Sequence, residues 1–117
     1  MSAASSADCL FCKIVAGQIP ASKIYEDDGV LAFKDIHPQA PVHLLIIPKM
    51  HLATLDDFQP SHRELAGSLL LTAKRLAAEH SLPGYRVVMN VNQEGGQVIY
   101  HAHLHLLGGR PMKGGLG

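Results

Sequence analysis

The chain is poor in the features that mark several large classes of protein, and each shortage removes one. It holds two cysteines in 117 residues, Cys9 and Cys12. A disulfide framework is therefore implausible, and a reduced, cytoplasmic setting is the expectation. Ten Lys and Arg balance ten Asp and Glu, so no net basic field gathers nucleic acid or an anionic membrane. Any phosphate-bearing ligand must be held by local geometry. No stretch approaches the roughly 20 apolar residues of a membrane span, and the opening MSAASSAD has neither the cationic start nor the apolar run of a signal peptide. Residues 1–8 read as a disordered tail. Repeats, low-complexity linkers and shifts in composition are missing as well, so residues 9–117 read as one domain with room for a real core.

What is present is an ordered set of apolar patterns. Phe11 to Ala16 reads as a short N-terminal helix stopped by Gly17 and Pro20. SKIYEDDGVLAFKDI holds two strands around Asp28-Gly29, a strong hairpin signal. HLLIIP is apolar throughout and predicts a central third strand. After Pro60, Ser61 and Glu64 have capping-box spacing, and Leu65, Leu69, Ala73, Leu76 and Ala77 keep one apolar stripe to about His80. YRVVMNV and HAHLHLL follow as two more strands, joined by the loop NQEGGQ. The expected fold is α+β: an antiparallel five-stranded sheet with one principal helix and the short N-terminal one.

His101, His103 and His105 recur at every second position in YHAHLHLL. On a strand they would share one face about 6.6 Å apart, with Ala102, Leu104 and Leu106 turned to the core. A neutral imidazole is a competent nucleophile toward phosphorus, and clustered imidazoles keep one another neutral because each positive charge disfavours the next. His103 has a neighbour on each side and is the candidate nucleophile; its other nitrogen must carry a proton and donate it to a carbonyl. His43 stands at the start of a second strand, at the edge of the same site. Gly95 and Gly96 precede the row and predict a concave nest of N–H groups for an anion. No cofactor is required if N–H donors and histidines neutralise the phosphate.

Cys9 and Cys12 form half of a tetrahedral zinc set, which His51 and His101 can complete. With four protein ligands such a zinc would be structural, tying the N-terminal segment to the third and last strands. A zinc with a catalytic part is the competing arrangement.

HAHLHLL resembles the His-x-His-x-His-x-x signature of the histidine-triad nucleotide-binding proteins. FCKIVAGQIPASKIYEDDGVLAFKDIHPQAPVHLLIIPKMH and YHAHLHLLGGRP resemble the opening and closing segments of the family's Hint branch. The resemblance implies a histidine-triad fold, a symmetric homodimer, and a phosphoramidase that hydrolyses adenosine 5′-monophosphoramidate and related purine nucleotides through a nucleotidyl-histidine intermediate. It assigns His103 as nucleophile and His43, His101 and His105 as supporting histidines, with His105 on the phosphate. Asn90, Gly96, Gln97 and Val98 would surround the α-phosphate, and Asp35 would bind the ribose with Ile36 beside it. Leu10, Phe11, Ile14 and Phe33 would form a slot for the base. Some relatives with such cysteines direct the first histidine of the triad to metal. The chain departs from the pattern at Val98, where some relatives carry serine, and in the tail GGRPMKGGLG, which lacks their aromatic residue. A nucleotide-sensing module with incidental hydrolysis is the alternative function.

Overall fold

The structure, a computed structural model, describes residues 7–114. Five strands, β1 (Lys23–Glu26), β2 (Val30–Lys34), β3 (Val42–Pro48), β4 (Tyr85–Val88) and β5 (Leu104–Gly108), form one antiparallel sheet in the order β1-β2-β3-β5-β4. The helices are α1 (Leu10–Val15) and α2 (Arg63–Glu79). The expected α+β architecture is therefore present.

Strand alternation divides the core in two. Val30, Ala32, Leu44, Ile46, Leu104 and Leu106 turn to α2 and meet Leu69, Ala73, Leu76 and Ala77. Leu31, Phe33, Leu45 and Ile47 turn the other way and meet Phe11, Cys12 and Ile14 of α1 and its N-cap Cys9. Hence β3, apolar on both faces, is central, and the apolar stripe of α2 falls where its 3.6-residue period predicts. The β1–β2 hairpin forms at Asp28-Gly29, closed by the Asp27 carboxylate, which accepts from Gly29 N–H at 2.9 Å and Val30 N–H at 2.8 Å.

Four expectations need correction. The last strand begins at Leu104, so His101 and His103 precede it. Pro48 ends β3 and has no N–H to continue the ladder, and the Ala102 N–H donates instead to Leu52 C=O at 2.7 Å. His51 likewise lies beyond the strand, so a metal there would tie α1 to the segments flanking β3 and β5. The capping box does not form: Pro60–His62 make a 3-10 turn, α2 starts at Arg63, and Glu64 lies in its first turn, where its charge favours the helix dipole. Finally, β4 stops at Val88, leaving Asn90 in the loop, and is an edge strand with Tyr85 and Val87 partly in solvent. Of the expected tail, residues 1–6 lie outside the described residues, while Ala7 and Asp8 form a turn.

Candidate active site

The site lies on the α1 face of the sheet, at the junction of β3 and β5. His43 pairs with Leu107 and His105 with Leu45, so the two histidines are diagonal neighbours on one face. Their rings touch, His43 Nε2 to His105 Nδ1 at 2.9 Å. His103 stands edge-on to His105, ring centroids 5.0 Å apart, and Phe11 stands edge-on to His103 at 5.2 Å.

The backbone fixes the tautomers of His43 and His103, because an N–H can only donate and a carbonyl can only accept, and His43 then sets that of His105. Gln39 N–H donates to His43 Nδ1 at 3.0 Å. Neutral His43 must then carry its proton on Nε2, which donates to His105 Nδ1. The Asp35 carboxylate lies 3.4 Å from the same nitrogen. His105 is left with its proton on Nε2. His103 Nδ1–H donates to His101 C=O at 2.7 Å, leaving the Nε2 lone pair bare. The carbonyl required for a nucleophilic His103 is thus that of its own neighbour in the row. Burial pushes His103 and His43 below the usual histidine range, and pushes His105 down to about 4 with help from the His103 and His43 charges. All three rings are neutral at pH 7.

A second cluster adjoins the first through His101. Its Nε2–H donates to Pro48 C=O at 2.7 Å, so Nδ1 presents a lone pair. That nitrogen is 3.3 Å from Cys9 Sγ, 3.5 Å from Cys12 Sγ and 3.3 Å from His51 Nδ1; Cys12 Sγ lies 3.3 Å from His51 Nδ1. A tetrahedral zinc with bonds of about 2.3 Å to sulfur and 2.05 Å to nitrogen requires S···N edges of about 3.6 Å and an N···N edge of about 3.3 Å. These four edges lie within about 0.3 Å of those values, and all four donors lie within 4.8 Å of one another, so the set fits zinc. Desolvation pushes His101 down to about 4, which keeps it a neutral ligand. A groove of ≈ 440 Å³ lined by Asp8, Cys9 and His51 gives an ion a route in.

Other expected site residues are placed differently. The anion nest is not formed: Gly95 and Gly96 N–H donate back to Asn92 and Gln93 carbonyls, and Gln97 N–H to Asn92. A Cβ at Gly95 would collide with the Val91 carbonyl, so this glycine permits a close turn. The Gln97 amide is buried and fully used, accepting from Asn92 N–H and donating to Ala53 and Ile99 carbonyls. Its side chain staples the loop and has no donor to spare for a nucleotide. Asn90 lies beside Gly96. Phe11, Ile14 and Phe33 are core residues, Phe11 only 2% exposed, whereas Leu10, Ile36 and Val98 stand at 43%, 85% and 86%.

Sequence reasoning missed Gln39, whose contribution is a backbone N–H that no residue type signals. A cavity of ≈ 680 Å³ around Leu82, Tyr85 and Arg110 touches none of the five clustered histidines. A smaller one of ≈ 230 Å³ reaches Asp35 and His43. The candidate site is marked by its hydrogen-bonded imidazoles and not by cavity volume.

A family model described as HIT domain matches residues 16–112. The chain is 44% identical over 107 residues, 90% of each protein, to the purine nucleoside phosphoramidase of Escherichia coli K12. It is 52% identical over 108 residues to an uncharacterised HIT-like protein of Synechococcus elongatus, covering 92% of this chain and 95% of that one. Among solved structures, a HIT family hydrolase from Legionella pneumophila superposes with a TM-score of 0.88 at 56% identity, covering 91% of this chain and 96% of its own. A zinc-bound histidine triad family protein from Mycobacterium smegmatis gives 0.77 at 34% identity, covering 88% and 76%.

Proposed function

This chain belongs to the HIT domain family, whose matched relatives include hydrolases, and on that premise we propose that it is a purine nucleoside phosphoramidase acting on adenosine 5′-monophosphoramidate-type substrates. One observation carries the reading: His103 Nδ1–H is held by His101 C=O at 2.7 Å, so that Nε2 presents its lone pair. The 44% identical phosphoramidase supports the substrate class. His103 Nε2 attacks phosphorus, the P–N bond breaks, and the leaving nitrogen takes up one proton as the nucleotide stays on His103. Water then attacks phosphorus, the Nε2–P bond breaks, and one proton is released, balancing the first. His105 Nε2–H donates to a phosphate oxygen, and the hydrogen bond from His43 keeps it in the donating tautomer.

Ile36 and Leu10, both exposed, offer surface to the base, and Asp35 offers a carboxylate to the ribose. Cys9, Cys12, His51 and His101 would hold zinc in a structural role, since four protein ligands would leave no open position for water. The M. smegmatis relative supports the metal's identity. Residues 9–117 act as one domain, and the exposed edge strand β4 with Leu70 and Leu71 of α2 supports a homodimer. No helix among the described residues is long and apolar enough to cross a membrane, in keeping with a cytoplasmic enzyme without membrane or nucleic-acid partners.

Single-turnover hydrolysis of adenosine 5′-monophosphoramidate in the presence of a chelator tests the reading. Release of AMP through a base-stable, acid-labile adduct on His103 is expected. Tight nucleotide binding without turnover would point to a sensor, and loss of turnover with the metal would point to catalytic zinc.

A further inference from the structure

The segment Gly108-Gly109-Arg110 leaves β5 and crosses back over the Asp35 to Pro41 loop. Gly109 has φ +94°, and a Cβ there would lie 2.8 Å from Pro41 Cβ, so only glycine permits this approach. The crossing brings Arg110 Nη2 to 2.8 Å from Gln39 C=O, across 71 residues of sequence. Gln39 is the residue whose N–H sets the tautomer of His43. Its side-chain amide donates to His37 C=O at 3.0 Å, and His37 N–H donates to Asp35 at 2.7 Å. Pro38 and Pro41 fix two of the loop's φ angles, which leaves the peptide between Gln39 and Ala40 as the joint that Arg110 holds.

We infer that Arg110 is a positioning residue for the phosphoramidate reaction, holding Gln39 so that its N–H keeps His43 and His105 in the tautomers that aim a proton at the phosphate. The chain of contacts is continuous: Arg110 to Gln39 C=O, Gln39 N–H to His43 at 3.0 Å, His43 to His105 at 2.9 Å. If Gln39 drifts, His43 is free to move its proton to Nδ1. His43 Nε2 then faces His105 Nδ1 lone pair to lone pair, and His105 must turn its own proton inward. Its Nε2 would meet the phosphate without a hydrogen. Arg110 is exposed at the surface and touches none of the reacting atoms; Nη1 donates to the adjacent Pro111 C=O at 3.3 Å, and Nη2 reaches the site through Gln39.

The role rests on the proposed phosphoramidase reading, and the experiment separates the two. In full-length protein, Arg110→Ala is expected to lower kcat roughly three- to tenfold, the loss of one charge-assisted hydrogen bond passed along the relay, with KM changed by less than about twofold. Arg110→Lys keeps one charged donor and should recover part of the loss. Imidazole ¹⁵N spectra should show His43 as the pure Nε2–H tautomer in wild type and as a mixture in Arg110→Ala. A single unchanged His43 tautomer in Arg110→Ala, with or without a fall in kcat, overturns the assignment and leaves Arg110 a merely structural residue. The spectra need no substrate. Failure of the wild type to hydrolyse any phosphoramidate would therefore count against the proposed function alone, and the tautomer would still decide for Arg110.

Discussion

His101 and His43 are both buried imidazoles on one face of the sheet, both pushed below the usual histidine range chiefly by loss of solvent. The backbone meets them with opposite partners. At His101 a carbonyl accepts from Nε2–H and leaves Nδ1 as a lone pair toward two thiols and a second imidazole. At His43 an N–H occupies Nδ1, so Nε2 must be a donor. On the proposed reading one cluster suits a metal and the other the movement of protons, although Asp35, His43 and His105 also lie close enough together to hold an ion. Residue type does not make the distinction. A single backbone group at each ring does, and on the proposed reading it would keep a metal site and a phosphoryl-transfer site distinct although the two adjoin.

The largest expected effect separates the clusters by function. His103→Ala should lower single-turnover hydrolysis on the order of 10⁴-fold or more, as loss of a nucleophile does, while zinc content stays at wild-type level. Metal analysis beside the rate measurement checks both halves, and a mutant that kept its rate would place the chemistry in the other cluster. His43→Ala comes next. It removes the donor that orients His105, and a loss of about 10²-fold is expected, in the range of general acid–base contributions, again with zinc retained. An equal loss of zinc would show that the clusters are not independent.

Cys9→Ser combined with Cys12→Ser attacks the comparison from the metal side. Zinc content should fall to zero and the melting temperature by about 10 °C, if the ion stabilises the native state by about 2.7 kcal/mol through mass action. Turnover should fall only a few-fold, because Pro48 C=O still anchors the His101 ring and His101 C=O still holds His103. KM should rise, since α1 carries Leu10 and Phe11. A variant that kept nucleotide binding and stability but lost all turnover would make the metal catalytic.

Much of this was legible in the sequence where one physical rule dominated. Period-two and period-3.6 patterns gave the sheet, its central strand and the buried stripe of α2, and the spacing of Cys9, Cys12, His51 and His101 gave four donors that the fold brings within 4.8 Å. The alternation of His101, His103 and His105 pointed to a shared site but not to its division, because Pro48 ends the ladder before His101 and turns that ring to the cysteines. The glycines before the row suggested free N–H groups, whereas their turn consumes them internally. Gln39 and Arg110 were invisible, since a backbone donor and a contact across 71 residues leave no local pattern.

The smallest effect is on stability against pH, and it sharpens the comparison because the same cause acts in both clusters. His105 and His101 sit at about 4 in the folded chain, with His103 and His43 lowered in the same direction, against about 6.5 when unfolded. Between those values the unfolded chain binds more protons than the native one. The stability these rings allow is thus complete above pH 6.5 and is lost as pH falls toward 4. Carboxylates lowered by their partners, such as Glu26 and Asp27, lose their contribution only as pH falls below their unfolded range, so the upper part of the window belongs to the imidazoles. Urea midpoints from pH 7 to 4 should fall steadily in wild type and less steeply in His105→Asn. Chelation should flatten the wild-type curve further, because protons would compete with zinc for its ligands only while the metal is there to be displaced. A flat or rising midpoint across that range would mean that the buried rings do not resist protonation as their burial requires.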